Sequence, residues 1–337
     1  MTRVLVARQD NLGDVLLAGP CVRGVAAHAS HVTLLTGPQG RAAGDLLPGV
    51  DDLLTWRAPW IDADPQPVTA ADTEEFVERI RAQAVDEALI LTSFHQSPLP
   101  LALLLRLAGV PWIGAISEDY PGSLLDLRHR VDGDRPEPER MLSLAEAAGY
   151  PLPAADPGGL AVRGPLPDVA RLTGREPYVV VHPGASVPAR QPSAAVSHRF
   201  VAALVAGGHR VLVTGAPAEK ALTAEVADGA AVDLGGRTSL AELAAVLAGA
   251  WVVVAPNTGP AHLAAAVGTP VVSLFAPVVP AARWAPYGVP VALLGDQHAQ
   301  CRATRARTCP VRGHPCLDTI DPADVRRAVA GLARAHP

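Results

Sequence analysis

The stretch Trp251-Val252-Val253-Val254-Ala255-Pro256-Asn257-Thr258-Gly259-Pro260-Ala261-His262 decides the fold. Its first half is a short apolar run rich in β-branched residues, bounded by proline, and reads as a buried strand. Its second half starts a helix. Asn257 or Thr258 can cap it, and Pro260 suits the first turn because the N–H it lacks has no partner there. A buried strand turning straight into a helix is half of a βαβ unit, so the sequence predicts a parallel sheet covered on both faces. The free amides of such a first turn favour a phosphate group. His262 lies one turn further on. Taken alone it reads as a core histidine satisfied by a backbone carbonyl, with a ligand contact as the alternative.

The same alternation extends in both directions from this stretch. Upstream in the second half, strands are expected at 178–181, 210–214 and 231–234, and downstream at 270–274. Helices are expected at 197–206, 218–227, 240–248 and 260–267, with a closing helix from about Pro322 to Ala335. The first half repeats the pattern. Strands are expected at 4–7, 32–35, 51–56, 87–92 and 112–115, and helices at 15–28, 73–84, 98–108 and 141–148. Between the halves, Pro151 to Pro177 is rich in proline and glycine and reads as a linker. The expected organisation is two doubly wound α/β domains, 1–165 and 166–337, with a cleft between them.

Composition narrows the function. The 337 residues suit two domains, and 49% hydrophobic content supplies two cores and excludes disorder as the main state. A net charge of −5 argues against a non-specific nucleic-acid binder. Among 28 basic residues only Lys220 is lysine, a bias that points to a GC-rich bacterial host. Met1-Thr2-Arg3 leads into only four apolar residues, far short of a signal core. The apolar stretch Leu99 to Ile113 is broken by Pro100, Arg106, Gly109 and Pro111, so no membrane insertion is expected. A cytoplasmic protein with reduced cysteines follows as the expectation.

In open parallel sheets, ligands bind where strands end and helices begin. The first such place is Arg8-Gln9-Asp10-Asn11-Leu12-Gly13-Asp14. Gly13 permits a close ligand approach, and Asp14 is either a helix-capping carboxylate or a general base. The second is His182-Pro183-Gly184-Ala185-Ser186 with Arg190 behind it, which is a plain turn or an anion site whose arginine neutralises a diphosphate. The third is Thr214-Gly215-Ala216-Pro217-Ala218-Glu219, where Glu219 either pairs with the helix dipole or accepts ribose hydroxyls. Further on, Gly235-Gly236-Arg237-Thr238-Ser239 opens the next helix and can offer backbone contacts to a base. In the first half, Thr92-Ser93-Phe94-His95-Gln96-Ser97 is either polar loop packing or an acceptor site led by Ser93 and His95.

Taken in this order and spacing, these motifs resemble glycosyltransferase family 9, the ADP-heptose:lipopolysaccharide heptosyltransferase family. The resemblance covers nearly the whole chain and is most specific in the second half. It implies a GT-B fold, two Rossmann-like doubly wound domains facing across a cleft, with the acceptor on the first and the nucleotide sugar on the second. It implies an inverting transfer that needs no metal or other cofactor. By the same resemblance, Asp14 is the catalytic base and Arg190 assists at the diphosphate, in place of the lysine usual there. Gly13, Gly184, Ser186, Glu219, Arg237, Thr238, Asn257, Thr258, Gly259, Pro260 and His262 would hold an ADP-heptose donor. Asn257 stands where several members carry aspartate, and no tryptophan follows Arg190. Asn11, Ser93 and His95 would meet the acceptor.

The acceptor is expected to be a surface glycan or a small metabolite such as an aminoglycoside or a nucleoside, since the composition points to a host without lipopolysaccharide. Two other readings remain at this stage: a GT-B transferase or epimerase using another nucleotide sugar, and a non-catalytic nucleotide-sugar-binding protein. Cys301, Cys309 and Cys316 are spaced too widely for the paired pattern of a zinc site, even with His298 and His314 nearby. Cys21 reads as a buried thiol.

Overall fold

The computed structural model describes residues 2–62, 64–93 and 95–335, so Phe94 lies outside the described residues. The chain divides into two compact units, Met1–Gly158 and Gly159–Pro337. Each unit is built on a six-stranded, all-parallel sheet.

The first unit has β1 (Arg3–Arg8), β2 (His31–Thr36), β3 (Asp52–Thr55), β4 (Glu87–Ile90), β5 (Trp112–Ile116) and β6 (Leu127–His129), in the order β3-β2-β1-β4-β5-β6. The second has β7 (Val179–Val181), β8 (Val211–Val213), β9 (Val232–Asp233), β10 (Val253–Pro256), β11 (Val271–Leu274) and β12 (Val291–Leu294), in the order β12-β11-β10-β7-β8-β9. In each sheet the chain works outward from one central strand and then restarts on that strand's other side. The reversal falls between β1 and β4 in the first unit and between β7 and β10 in the second. These are the switch points where doubly wound sheets open a crevice for ligands.

Central strands are covered on both faces and edge strands are not. Every residue of β10 and β11 is buried, as is β1 from Val4 to Arg8. The edges β3, β6, β9 and β12 are half-buried or more open. Strands β6 and β12 are absent from the sequence expectation. Leu127-Arg128-His129 has no apolar run, and both strands exist by pairing with β5 and β11.

The expected single helix at 15–28 is two, Leu12–Leu17 and Gly19–Ala26. Pro20 explains the break. It has no N–H to give the Leu16 carbonyl, and the Ala18 N–H turns back to Val15 O at 3.1 Å.

The core of the second unit joins Val179, Val181, Phe200, Val213, Val254 and Val272 to the closing helix through Val325 and Val329. That of the first includes Trp56 stacked on Phe76 with ring centroids 4.1 Å apart. The proline-rich stretch after residue 151 is not a bare tether at its start. Arg23 donates to both oxygens of Asp156, at 2.6 and 2.9 Å.

Candidate active site

In the first unit the switch point is a buried charge cluster. Arg8 ends β1 and is wholly buried. Its Nη2 donates to Asp14 Oδ1 at 3.0 Å and to Ser93 Oγ at 3.0 Å, and its Nε lies 3.2 Å from Asp10 Oδ2. The loops after β1 and β4 are thereby tied together by one guanidinium. Gln96 closes the loop, donating to Asp10 Oδ1 at 2.6 Å and accepting from the Ser93 N–H at 3.0 Å. Behind them the helix Glu137–Ala147 adds Glu137, wholly buried, and Arg140, which donates to the Thr92 carbonyl at 2.7 Å and lies 3.5 Å from Glu137.

The electrostatics follow from this packing. Burial opposes the Arg8 charge, but Asp10, Asp14 and Glu137 outweigh it and hold the guanidinium above its ordinary pKa. Burial pushes the Asp10 carboxyl up, against the pull of Arg8. Asp14 differs from Asp10 in access: its side chain keeps 20% of its exposure, against 9% for Asp10. It sits in the first turn of the helix Leu12–Leu17, with Asn11 as N-cap residue and Gly13 buried beside it. A carboxylate fixed through one oxygen and still reachable can accept a proton.

Of the expected acceptor residues, Ser93 is buried on Arg8 beside Asp14, whereas Asn11 and His95 are exposed. The sequence reading did not single out Arg8, Asp10, Glu137 or Arg140. A signal was present: Arg8 ends an apolar strand and is followed by acids two and six positions later.

In the second unit the switch point is rich in glycine. The loop after β7 starts at His182, whose N–H donates to Val254 O of β10 at 2.9 Å. His182 Nδ1 lies 3.1 Å from Thr214 Oγ1, and its Nε2 lies 3.8 Å from Glu219 Oε2. Burial lowers the His182 pKa, with Glu219 opposing, so the ring is neutral near neutral pH. Glu219 Oε2 accepts from the Ala216 N–H at 2.7 Å. Its carboxylate fills the space beside Gly184, where a methyl group would overlap both oxygens. Gly236, at φ +63°, packs against Pro217 and Lys220 in a conformation suited to glycine, and its N–H donates to Gly215 O at 2.8 Å. The loops after β7, β8 and β9 therefore form one surface.

After β10, Asn257 is buried and its Oδ1 accepts from the Ala276 N–H at 3.4 Å. Thr258 is the N-cap residue of the helix Gly259–Ala266, but its side chain makes no capping hydrogen bond. Thr258, Gly259 and Pro260 are partly exposed, while His262 is buried. Ser186 is exposed. Arg237 is exposed too and donates back to Asp233 O at 3.1 Å, and Thr238 is half-buried just before Ser239, which caps the helix Leu240–Ala248 together with Glu242.

Arg190 ends a short turn held from behind by the cysteine-bearing segment. Ala189 N–H donates to Arg307 O at 2.9 Å, His314 Nε2 lies 3.1 Å from Ala189 O, and the Ser193 N–H donates to Asp318 Oδ1 at 2.9 Å. Cys301 and Cys316 are buried in the core of this unit, and burial pushes the Cys316 thiol up to about 12. No group of three or more potential metal-ligating side chains is present among the described residues.

Two Rossmann-like units, each on a doubly wound six-stranded sheet, make up the GT-B architecture. The family model of glycosyltransferase family 9 (heptosyltransferase) matches residues 74–314, and the chain belongs to that family. It is therefore a glycosyltransferase. Three solved structures share the fold over nearly full length. A glycosyl transferase family 9 protein from Veillonella parvula has a TM-score of 0.81 at 17% identity, covering 99% of this chain and 98% of that one. ADP-heptose lps heptosyltransferase II from E. coli has a TM-score of 0.76 at 17% identity, covering 99% of each. The E. coli heptosyltransferase WaaC with ADP has a TM-score of 0.70 at 19% identity, covering 98% of this chain and 100% of that one. No curated protein sequence matches the chain. Among the described residues no helix is long and apolar enough to cross a membrane.

Proposed function

We propose that this glycosyltransferase moves a heptose from an ADP-activated donor to a hydroxyl of its acceptor, with inversion at the anomeric carbon and Asp14 as the base. The observation that carries this reading is the Asp14 carboxylate, anchored through one oxygen by the buried Arg8 at the switch point and still accessible. The donor assignment rests on the likeness to proteins named for ADP-heptose and solved with ADP.

The residues divide the work. The acceptor hydroxyl attacks the anomeric carbon from the face opposite the diphosphate, and Asp14 takes its proton as charge builds on that oxygen. ADP leaves with increased negative charge. Arg190, the Thr258 hydroxyl and the positive end of the helix Gly259–Ala266 stabilise it. Glu219 accepts the ribose hydroxyls, and the Gly236–Ser239 turn borders the adenine. Asn11, Ser93 and His95 orient the acceptor. We place the reaction in the cytoplasm and assign it no metal.

The acceptor is proposed to be a surface glycan or a small metabolite. The test is ADP release from ADP-heptose with a panel of acceptors, with and without chelator. The account expects acceptor-dependent release that chelator leaves intact. Activity confined to lipid A core acceptors would remove the small-metabolite reading, and preferential use of a UDP-sugar would remove the heptose donor.

A further inference from the structure

His182 has no task in the transfer described above, yet it is buried and placed between two polar groups. Its Nδ1 faces Thr214 Oγ1 at 3.1 Å and its Nε2 faces Glu219 Oε2 at 3.8 Å. The chemistry of the partners sets the tautomer. A carboxylate only accepts, so the favourable form carries its proton on Nε2 toward Glu219. Nδ1 is then bare and takes the Thr214 hydroxyl proton in a hydrogen bond. Thr214 is itself wholly buried at the end of β8, which fixes the start of this relay on the sheet. The Ala216 N–H donates to Oε2 at 2.7 Å, and His182 Nε2 lies 3.8 Å from the same oxygen, a polar contact longer than a hydrogen bond. Oε1 is the oxygen packed most closely on Gly184.

We propose that His182, oriented by Thr214, is the positioning residue that sets Glu219 for reading the two ribose hydroxyls of the nucleotide. This rests on the assignment of Glu219 to the ribose. His182 does not touch substrate. It acts through the polar contact of its ring with Oε2, which biases the carboxylate to present its remaining acceptor capacity to the diol along the loop at Gly184. Without His182 the Glu219 side chain keeps its bond to Ala216, but gains rotational freedom and loses directionality.

A general loss of affinity would not distinguish this role from a structural one, so the readout is selectivity. Calorimetry compares the Kd for ADP with that for dideoxy-ADP, which lacks both ribose hydroxyls, in wild type, Glu219→Gln, His182→Leu and Thr214→Val. Wild type is expected to favour ADP by at least about tenfold, and Glu219→Gln to remove most of that preference. His182→Leu is expected to cut the preference to about threefold or less by weakening ADP while leaving dideoxy-ADP nearly unchanged. Thr214→Val should fall between, and it decides the matter if His182→Leu does not fold. Equal weakening of both nucleotides by His182→Leu, or an unchanged preference in both relay variants, overturns the proposal. An unchanged preference in Glu219→Gln instead overturns the ribose assignment, and the inference falls with it.

Discussion

The two switch points use the same sheet topology for opposite electrostatics. In the first unit, five ionisable side chains (Arg8, Asp10, Asp14, Glu137 and Arg140) crowd around the ends of β1 and β4, most of them out of water. In the second, the ends of β7, β8, β9 and β10 are lined by Gly184, Gly215, Gly236 and Gly259, and the buried His182 lies 3.8 Å from one carboxylate, Glu219. A site that must hold a base in one orientation gains from fixed charges with few alternatives. A site that must admit a bulky anion gains from absent side chains and open backbone. The fold supplies the crevice twice, and side-chain chemistry gives each copy its task.

This contrast orders the expected effects. Arg8→Met leaves Asp10 and Asp14 without their buried counter-charge, and urea unfolding should report a loss of about 3–5 kcal/mol. Arg190→Ala should lower kcat by about a hundredfold in the ADP-release assay, and Arg190→Lys should recover part of the loss. Gly184→Ala should weaken ADP binding by about tenfold in calorimetry by displacing Glu219, with little change in unfolding midpoint. Asp156→Ala, outside both sites, should cost under about 1 kcal/mol, because its pairing with Arg23 is partly solvated. The Arg23 hydrogen bond holds the Asp156 carboxyl below its ordinary value. Its contribution is therefore complete above about pH 4 and fades as the pH falls further, which acid titration of stability in the two proteins would show.

The sequence made the central strands and the residues at their ends readable. Val253–Pro256 followed by Thr258, Gly259 and Pro260 is a strand, a cap and a helix start by local chemistry alone. Asp14 and Glu219 each stand within six residues of a strand's end, so topology alone marked them. Other features depended on partners distant in sequence. Strand β6 exists because β5 lies beside it. The importance of Arg8 appears only when Ser93, 85 positions away, closes on it. Glu137 lies in the polar, proline-containing run 132–138 and yet is wholly buried, because the helix it opens packs toward the Arg8 cluster. The expected helix at 15–28 failed at Pro20, a breaker whose effect was local and could have been read.

The central claim is a division of labour, with proton acceptance in the first unit and donor binding in the second. Asp14→Asn tests it most directly, with turnover and the Kd for ADP-heptose measured on one preparation. The account predicts a fall in turnover of at least about a hundredfold with a nearly unchanged Kd. Transfer retained by the variant, or donor binding lost along with turnover, would contradict it.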